Sequence, residues 1–280
     1  MLATVIIPTF NHGRLLFSSV GSVLRQSVAD FEIFIIGDGI TEETRDVIGQ
    51  LLATDKRIRY FDNPKSPRTG EAYRHLALQE ASGEVVCYLS DDDLWWPNHL
   101  EVFCASLKKL DFVHSAPCWV RPENQVYCSL VDLGVPEWRE WTLQGGSPLA
   151  LSFCGHTMEF YRRLPYGWRS TPAGHYTDHY MWQQMLSIEG VRPGCTWLHT
   201  VIGFPASQRR DWSLERREKE LLFWAKRITE DPVGLLEQIR YSISFDNFYM
   251  KKDLEMWERR KAVVPRGIIN LVNRYRRKKI

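Results

Sequence analysis

Short apolar runs alternate with helix-period segments through the first 115 residues, and this alternation restricts the fold more than any other property of the chain. Thr4–Thr9 (TVIIPT) reads as a buried strand. His12–Gln26 then places Leu15, Leu16, Val20, Val23 and Leu24 on one helical face. Glu32–Ile36 is a second strand. Thr41 is a cap for the next helix, whose first turn carries Glu42 and Glu43, where carboxylates favour the helix dipole. Val47, Ile48, Leu51 and Leu52 form its stripe. Arg57–Phe61 and Glu84–Leu89 are further strands, with a helix over about Glu71–Ala81 between them that Gly83 ends. Pro97 opens another helix, and Asp111–Ala116 is a last strand. Strands separated by helical spacers predict a largely parallel sheet with helices on both faces.

In such sheets ligands bind beyond the carboxyl ends of the strands. Three polar clusters fall there: Thr9–Asn11, Asp38–Gly39 and Ser90–Asp93. The last is the most informative, because an apolar strand delivers three adjacent carboxylates to one point. Like charges repel, and buried ones cost several kcal/mol unless paired. A divalent cation, Mg²⁺ or Mn²⁺ shared with a phosphorylated substrate, explains the run economically, whereas a solvated acidic turn before the Pro97 helix is the plainer alternative.

The remaining sequence bounds the problem without deciding it. From about Ala116 to Gln208 the pattern is irregular and rich in Gly, Pro and aromatic residues, while Leu214–Ile228 and Val233–Val263 read as helices. The expected organisation is one domain in two halves, an alternating α/β half (1–115) and an irregular half (116–212), with a C-terminal helical extension (213–280). Met1 leads almost directly into Thr4–Thr9, a run too short for a signal peptide, and no stretch approaches 18 apolar residues. Six scattered cysteines lack metal-site spacing and read as reduced thiols, so the expected location is cytoplasmic. Residues 250–280 hold eleven Lys and Arg against three Asp and Glu, in a chain whose net charge is +2. The amphipathic tail Pro265–Lys279 therefore suits an anionic membrane surface at the inner face of the cell membrane, a tail packed on the body or simply solvated being the plainer alternative. Nothing else in the chain supports nucleic-acid binding.

In order and spacing, TVIIPTFN, EIFIIGDG, EAYRHLALQEASGEVV and YLSDDDLWWPNHL resemble the family 2 glycosyltransferases of GT-A fold. The likeness covers residues 2–115 well and Gly155–Trp182 more loosely. It implies inverting, metal-dependent transfer of a sugar from a nucleotide diphosphate sugar, UDP-sugars being favoured, to the hydroxyl of a glycan or lipid-linked acceptor. Bacterial polysaccharide or lipopolysaccharide assembly is the usual setting.

By the family pattern, Pro8, Thr9 and Asn11 line the nucleotide pocket and Asp38 accepts a hydrogen bond from the base. Gly37-Asp38-Gly39-Ile40 stands where the family has Asp-Asp-Gly-Ser, so the first Asp is missing. Arg74 matches an arginine near the nucleotide, and Arg68, in a Ser-Pro-Arg-Thr-Gly loop, is a second phosphate partner. In the Asp-x-Asp motif Ser90 replaces the leading Asp; Asp92 matches the direct metal ligand, Asp91 lies near the ribose and Asp93 is a second metal candidate. Inverting transfer needs one general base opposite the leaving group. Asp178 matches the acid that opens the family's acceptor-side helix, a position where a carboxylate also makes a good cap. Of His156, His175, His179 and His199, one is a candidate to complete the metal shell, although a lone histidine is more often structural. Arg209 and Arg210 in Phe204–Ser213 are candidates to close over the diphosphate.

Two other classes compete. A sugar-1-phosphate nucleotidylyltransferase would carry a Gly-rich, basic phosphate loop after the first strand, where this chain has Thr9-Phe10-Asn11-His12-Gly13-Arg14. A catalytically degenerate nucleotide- or glycan-binding domain would rest on Gly37 and Ser90 alone.

Overall fold

The structure is a computed structural model and describes residues 1–146 and 149–244. Its first half follows the apolar pattern closely. Strand β1 (Ala3–Thr9) leads to α1 (Leu15–Leu24), then β2 (Phe31–Gly37), α2 (Glu42–Thr54), β3 (Ile58–Phe61), α3 (Glu71–Leu78) and β4 (Val85–Tyr88). β2 and β4 are buried along their whole length. The Thr41 hydroxyl caps α2 by accepting from the Thr44 amide at 3.3 Å. After β4 come β5 (Leu94–Trp95), α4 (His99–Ser106) and β6 (Phe112–His114).

The irregular stretch resolves into short elements: β7 (Cys118–Arg121), β8 (Gln125–Cys128), α5 (Pro136–Leu143), β9 (Cys154–Thr157), α6 (Met158–Arg162), α7 (Thr177–Leu186), β10 (Pro193–Cys195) and β11 (Val201–Ile202). Helix α8 (Leu214–Glu230) follows, then helical residues 232–244. The rest of the helix expected over Val233–Val263, and the basic segment Pro265–Lys279, lie outside the described residues.

Seven strands form one sheet in the order β10-β6-β9-β4-β1-β2-β3. β4, β1, β2 and β3 are parallel neighbours, β6 pairs parallel with β10, and β9 runs antiparallel between β4 and β6. Two strands from the second half of the chain therefore complete the sheet begun by the first. One apolar core runs across both halves. A second cluster, in which Leu15, Leu94 and Trp96 meet Leu221, Trp224 and Ile228, fastens α8 over α1. Helix α7 is anchored by the fully buried Trp182, whose ring lies among Tyr88, Phe112 and Trp168 at centroid distances of 5.9, 5.2 and 5.8 Å. Among the described residues no helix is long and apolar enough to cross a membrane.

Candidate functional site

The parallel strands β1, β2 and β4 end at a common cavity of about 480 Å³. Pro8, Thr9 and Asn11 follow from β1, Asp38 from β2, and Ser90, Asp91 and Asp92 from β4; Arg68, Arg74 and Asp178 close the far side. Of the residues singled out by sequence, Asp93, Arg209, Arg210 and the four histidines are not brought to this lining.

On the β2 side the Asp38 carboxylate is buried. It accepts from the Ser66 amide at 2.6 Å and from Lys65 Nζ at 2.5 Å. Asp38 does not cap α2, which Thr41 already does. Gly39 has φ +68°, and a Cβ there would come within 2.7 Å of the Lys65 backbone, so only glycine lets the turn fold back to present Lys65. A Cβ on Gly37 would lie 2.7 Å from the Tyr60 hydroxyl, which is itself held by Asp62 at 2.7 Å. The Thr9 hydroxyl is buried without a partner, while Asn11 lies exposed at the rim.

The β4 carboxylates part into different roles. His12 Nδ1 lies 2.5 Å from Asp91, and Arg217 on α8 bridges His12 Nε2 (3.2 Å) and Asp92 Oδ2 (2.5 Å). In the neutral ring Nδ1–H thus donates to Asp91, and the Nε2 lone pair faces the guanidinium. Burial works against a charge on His12, but the Asp91 carboxylate prevails and raises its pKa. Burial and the neighbouring Asp91 charge raise that of Asp92. Ligand atoms of His12, Asp91 and Asp92 lie within 4.8 Å of one another. An imidazole with two carboxylates is a donor set suited to Mn²⁺ or a similar divalent ion. Asp93 points elsewhere. Its oxygens accept from the Phe204 amide at 2.7 Å and the Ser152 hydroxyl at 2.5 Å, and burial with the Asp92 charge pushes its pKa up to about 7. Asp93 ties β4 to the second half of the chain.

Across the cavity Asp178 sits in the first turn of α7, 29 % exposed, accepting from the Leu151 amide at 3.0 Å. Burial raises its pKa, and Arg74, with Nη1 3.9 Å from Oδ1, pulls the other way. Arg74 is buried. Its Nη2 donates to the Thr69 carbonyl at 2.9 Å and its guanidinium lies 4.7 Å from the Trp168 ring centre, but Nε and Nη1 are without hydrogen-bond partners. A buried guanidinium with free N–H groups at a cavity wall is equipped to take an anion. Arg68 Nη2 donates to the His175 carbonyl at 2.9 Å, and Glu71 accepts from the Thr171 amide at 3.3 Å, so both residues bind the α3 region to the loop before α7.

Residues 4–127 match the glycosyl transferase family 2 model. That span holds Asp38, Arg68, Arg74 and Asp91–Asp93, whereas Asp178 and Arg217 lie beyond it. The chain is 37 % identical over 90 residues to the GalNAc(5)-diNAcBac-PP-undecaprenol beta-1,3-glucosyltransferase of Campylobacter jejuni, covering 32 % of this chain and 29 % of that protein. Over 108 residues it is 32 % identical to the UDP-Glc:alpha-D-GlcNAc-diphosphoundecaprenol beta-1,3-glucosyltransferase WfgD of Escherichia coli, covering 39 % and 42 %. It spans less than half the length of the curated relatives described here. Among solved structures, S. aureus TarS 1–349 in complex with UDP-GlcNAc superposes with a TM-score of 0.53 at 15 % identity, covering 73 % of this chain and 58 % of TarS 1–349. The mannosyltransferase PcManGT from Pyrobaculum calidifontis, in complex with GDP-Man and Mn²⁺, gives 0.50 at 16 % identity, covering 94 % and 80 %. The mixed α/β architecture with its mostly parallel seven-stranded sheet is the GT-A fold.

Among the residues at this cavity, sequence reasoning missed His12, Lys65 and Arg217. The four histidines it weighed have other tasks or positions. His156 bonds the Tyr88 hydroxyl at 2.7 Å, His179 the Thr142 carbonyl at 2.8 Å and His199 the Ala116 carbonyl at 3.0 Å, while His175 is exposed. Arg209 is buried against Glu220 and the Val120 carbonyl, away from the cavity lining.

Proposed function

We propose that this chain is an inverting glycosyltransferase that moves a sugar from a nucleotide diphosphate sugar, preferentially a UDP-sugar, to an acceptor hydroxyl in bacterial surface-glycan assembly. The observation that carries this reading is the state of the four carboxylates lining the cavity. Asp38 is paired with Lys65, Asp91 with His12 and Asp92 with Arg217, each at 2.5 Å; Asp178 alone has no cationic group within hydrogen-bond distance. A general base must be basic and unencumbered, and burial makes Asp178 more basic than an ordinary carboxylate.

Asp38 accepts from an imide N–H of the base, with Pro8, Thr9 and Asn11 beside the nucleoside and Asp91 near the ribose. Arg74, seconded by Arg68, holds the diphosphate through its free N–H groups. Asp92 is the principal ligand of a divalent cation, Mn²⁺ or Mg²⁺, with His12 and Asp91 adjacent; once bound, such an ion neutralises charge developing on the leaving diphosphate. Asp178 takes the acceptor hydroxyl's proton at its free carboxylate oxygen while that hydroxyl oxygen bonds to the anomeric carbon. The bond to the diphosphate oxygen breaks with its electron pair remaining on the diphosphate, which inverts the anomeric centre. The C. jejuni and E. coli relatives carry undecaprenol-linked sugars in their names. A lipid-linked acceptor at the inner face of the membrane fits this reading, as does an enzyme on the cytoplasmic side.

Calorimetric titration with UDP, with and without Mn²⁺, tests the site. Manganese-dependent binding that Asp92→Asn abolishes is expected, followed by transfer from UDP-sugars that Asp178→Asn abolishes with UDP binding intact. Full activity in both variants refutes the assignment.

A further inference from the structure

Arg217, the fourth residue of helix α8, lies 125 residues beyond Asp92 in sequence, yet it reaches the β4 carboxylates. Arg217 is 8 % exposed and its Nε is buried without a partner. One guanidinium engages both Asp92 Oδ2 and His12 Nε2. A divalent ion bonds oxygen and nitrogen ligands at roughly 2.0–2.2 Å. Seated between His12 and Asp92, it would overlap the nitrogens that already lie 3.2 and 2.5 Å from those two atoms. Guanidinium and metal therefore exclude each other. The helix is held in place by Leu221, Trp224 and Ile228, all buried, and by the Ser213 hydroxyl, which accepts from the Arg216 amide at 3.2 Å.

We propose that Arg217 is the resting occupant of the cation seat, and that a nucleoside diphosphate resolves its competition with the metal. The diphosphate offers the metal further oxygens and offers the displaced guanidinium a new anionic partner, to which its fork is suited. The metal and the nucleotide then bind cooperatively, and by linkage each tightens the other by the same factor. This inference rests on the reading of Asp92 as a metal ligand, and it names α8, outside the family 2 span, as part of the diphosphate–metal site.

Mn²⁺ binding, followed by the electron paramagnetic resonance signal of the free ion with and without UDP, tests the proposal. The chains compared are wild type, Arg217→Met, Arg217→Lys and Asp92→Asn, each checked by thermal melting. In wild type, Mn²⁺ alone binds weakly and UDP tightens it by roughly 5- to 150-fold, the usual range of such couplings. Arg217→Met takes Mn²⁺ without nucleotide on the order of tenfold more tightly than wild type, and its coupling to UDP shrinks correspondingly. Arg217→Lys keeps the charge but loses the bridge to His12, so it shifts in the same direction by a smaller factor. The proposal is overturned if neither natively melting Arg217 variant gains Mn²⁺ affinity, or if Asp92→Asn binds Mn²⁺ as wild type does. If the Arg217 variants behave as expected and no sugar is transferred from any donor, the transferase reading fails and this one stands.

Discussion

On the proposal that Asp178 is the general base, its coupling to Arg74 sets the acid limb of the reaction. The two charged atoms are 3.9 Å apart, without a direct hydrogen bond. At that separation two unit charges interact by about 4 kcal/mol for an effective dielectric constant near 20. Asp178 is 29 % exposed, so solvent screens part of this. A guanidinium at such range typically lowers a carboxylate's pKa by roughly 1–3 units, about 1.4–4 kcal/mol. In the wild type burial raises the Asp178 pKa, Glu71 adds to that rise, and Arg74 offsets part of it. Arg74→Met keeps the bulk over Trp168 and removes the charge, leaving burial and Glu71 unopposed. The Asp178 pKa should then climb further. Because the base works only when ionised, the acid limb of kcat against pH must move to higher pH in the variant. Weaker diphosphate binding will appear separately, as a rise in KM. Arg74→Lys, which preserves a positive charge, should move the limb less. Carboxyl ¹³C titration of Asp178 reads the same shift without substrate. An unmoved limb, or one displaced to lower pH, would show that Arg74 does not hold Asp178 in its ionised form.

Three further outcomes follow from the geometry. Asp93→Ala should cost about 1–3 kcal/mol in chemical denaturation for each of the Phe204 amide and Ser152 hydroxyl left buried without an acceptor, while Mn²⁺–UDP binding persists; lost metal binding at unchanged stability would return Asp93 to the metal shell. Gly37→Asp should destabilise by roughly 1–3 kcal/mol against the Tyr60 hydroxyl, and Tyr60→Ala in the same chain should recover at least about 0.5 kcal/mol, whereas strict additivity of the two changes contradicts the steric account. Trp182→Ala should cost about 3–5 kcal/mol and reduce kcat more than UDP affinity, since it frees the helix that carries Asp178; an equal loss in both would mean that Trp182 supports the whole site and not α7 in particular.

The parallel half was legible because its strands are short apolar runs, and nothing but a strand end explains polar residues recurring right after them. β1 ends in Thr9 and β2 in Gly37, one residue from Asp38, and the run after β4 begins within two residues of Tyr88. The second half hid its strands for physical reasons. β9 is Cys154-Gly155-His156-Thr157, with no apolar period at all. Gly155 is required there because a Cβ would meet the Phe103 ring at 2.8 Å and the Val86 carbonyl at 2.9 Å. His156 is tolerated in the core because the Tyr88 hydroxyl and the Thr157 carbonyl satisfy its two nitrogens. A strand whose burial is made by its neighbours leaves no hydrophobic signature of its own.

Arg217 escaped for a different reason, and its signal was present. It falls on the same face of α8 as Leu221, Trp224 and Ile228, the stripe that faces α1 and the second core. An arginine on an apolar stripe is expensive to bury unless a charge waits for it. Nothing near it in sequence names that charge, because Asp92 is supplied by a strand from the other end of the chain. His12 is the complementary case. It sits three residues past β1, in the turn where polar residues were expected, but its partner Asp91 comes from β4, 79 residues on. The family pattern thus accounts for the residues proposed to hold the nucleotide, whereas His12 and Arg217 meet their carboxylates only once the fold has brought β4 beside β1 and α8 across α1.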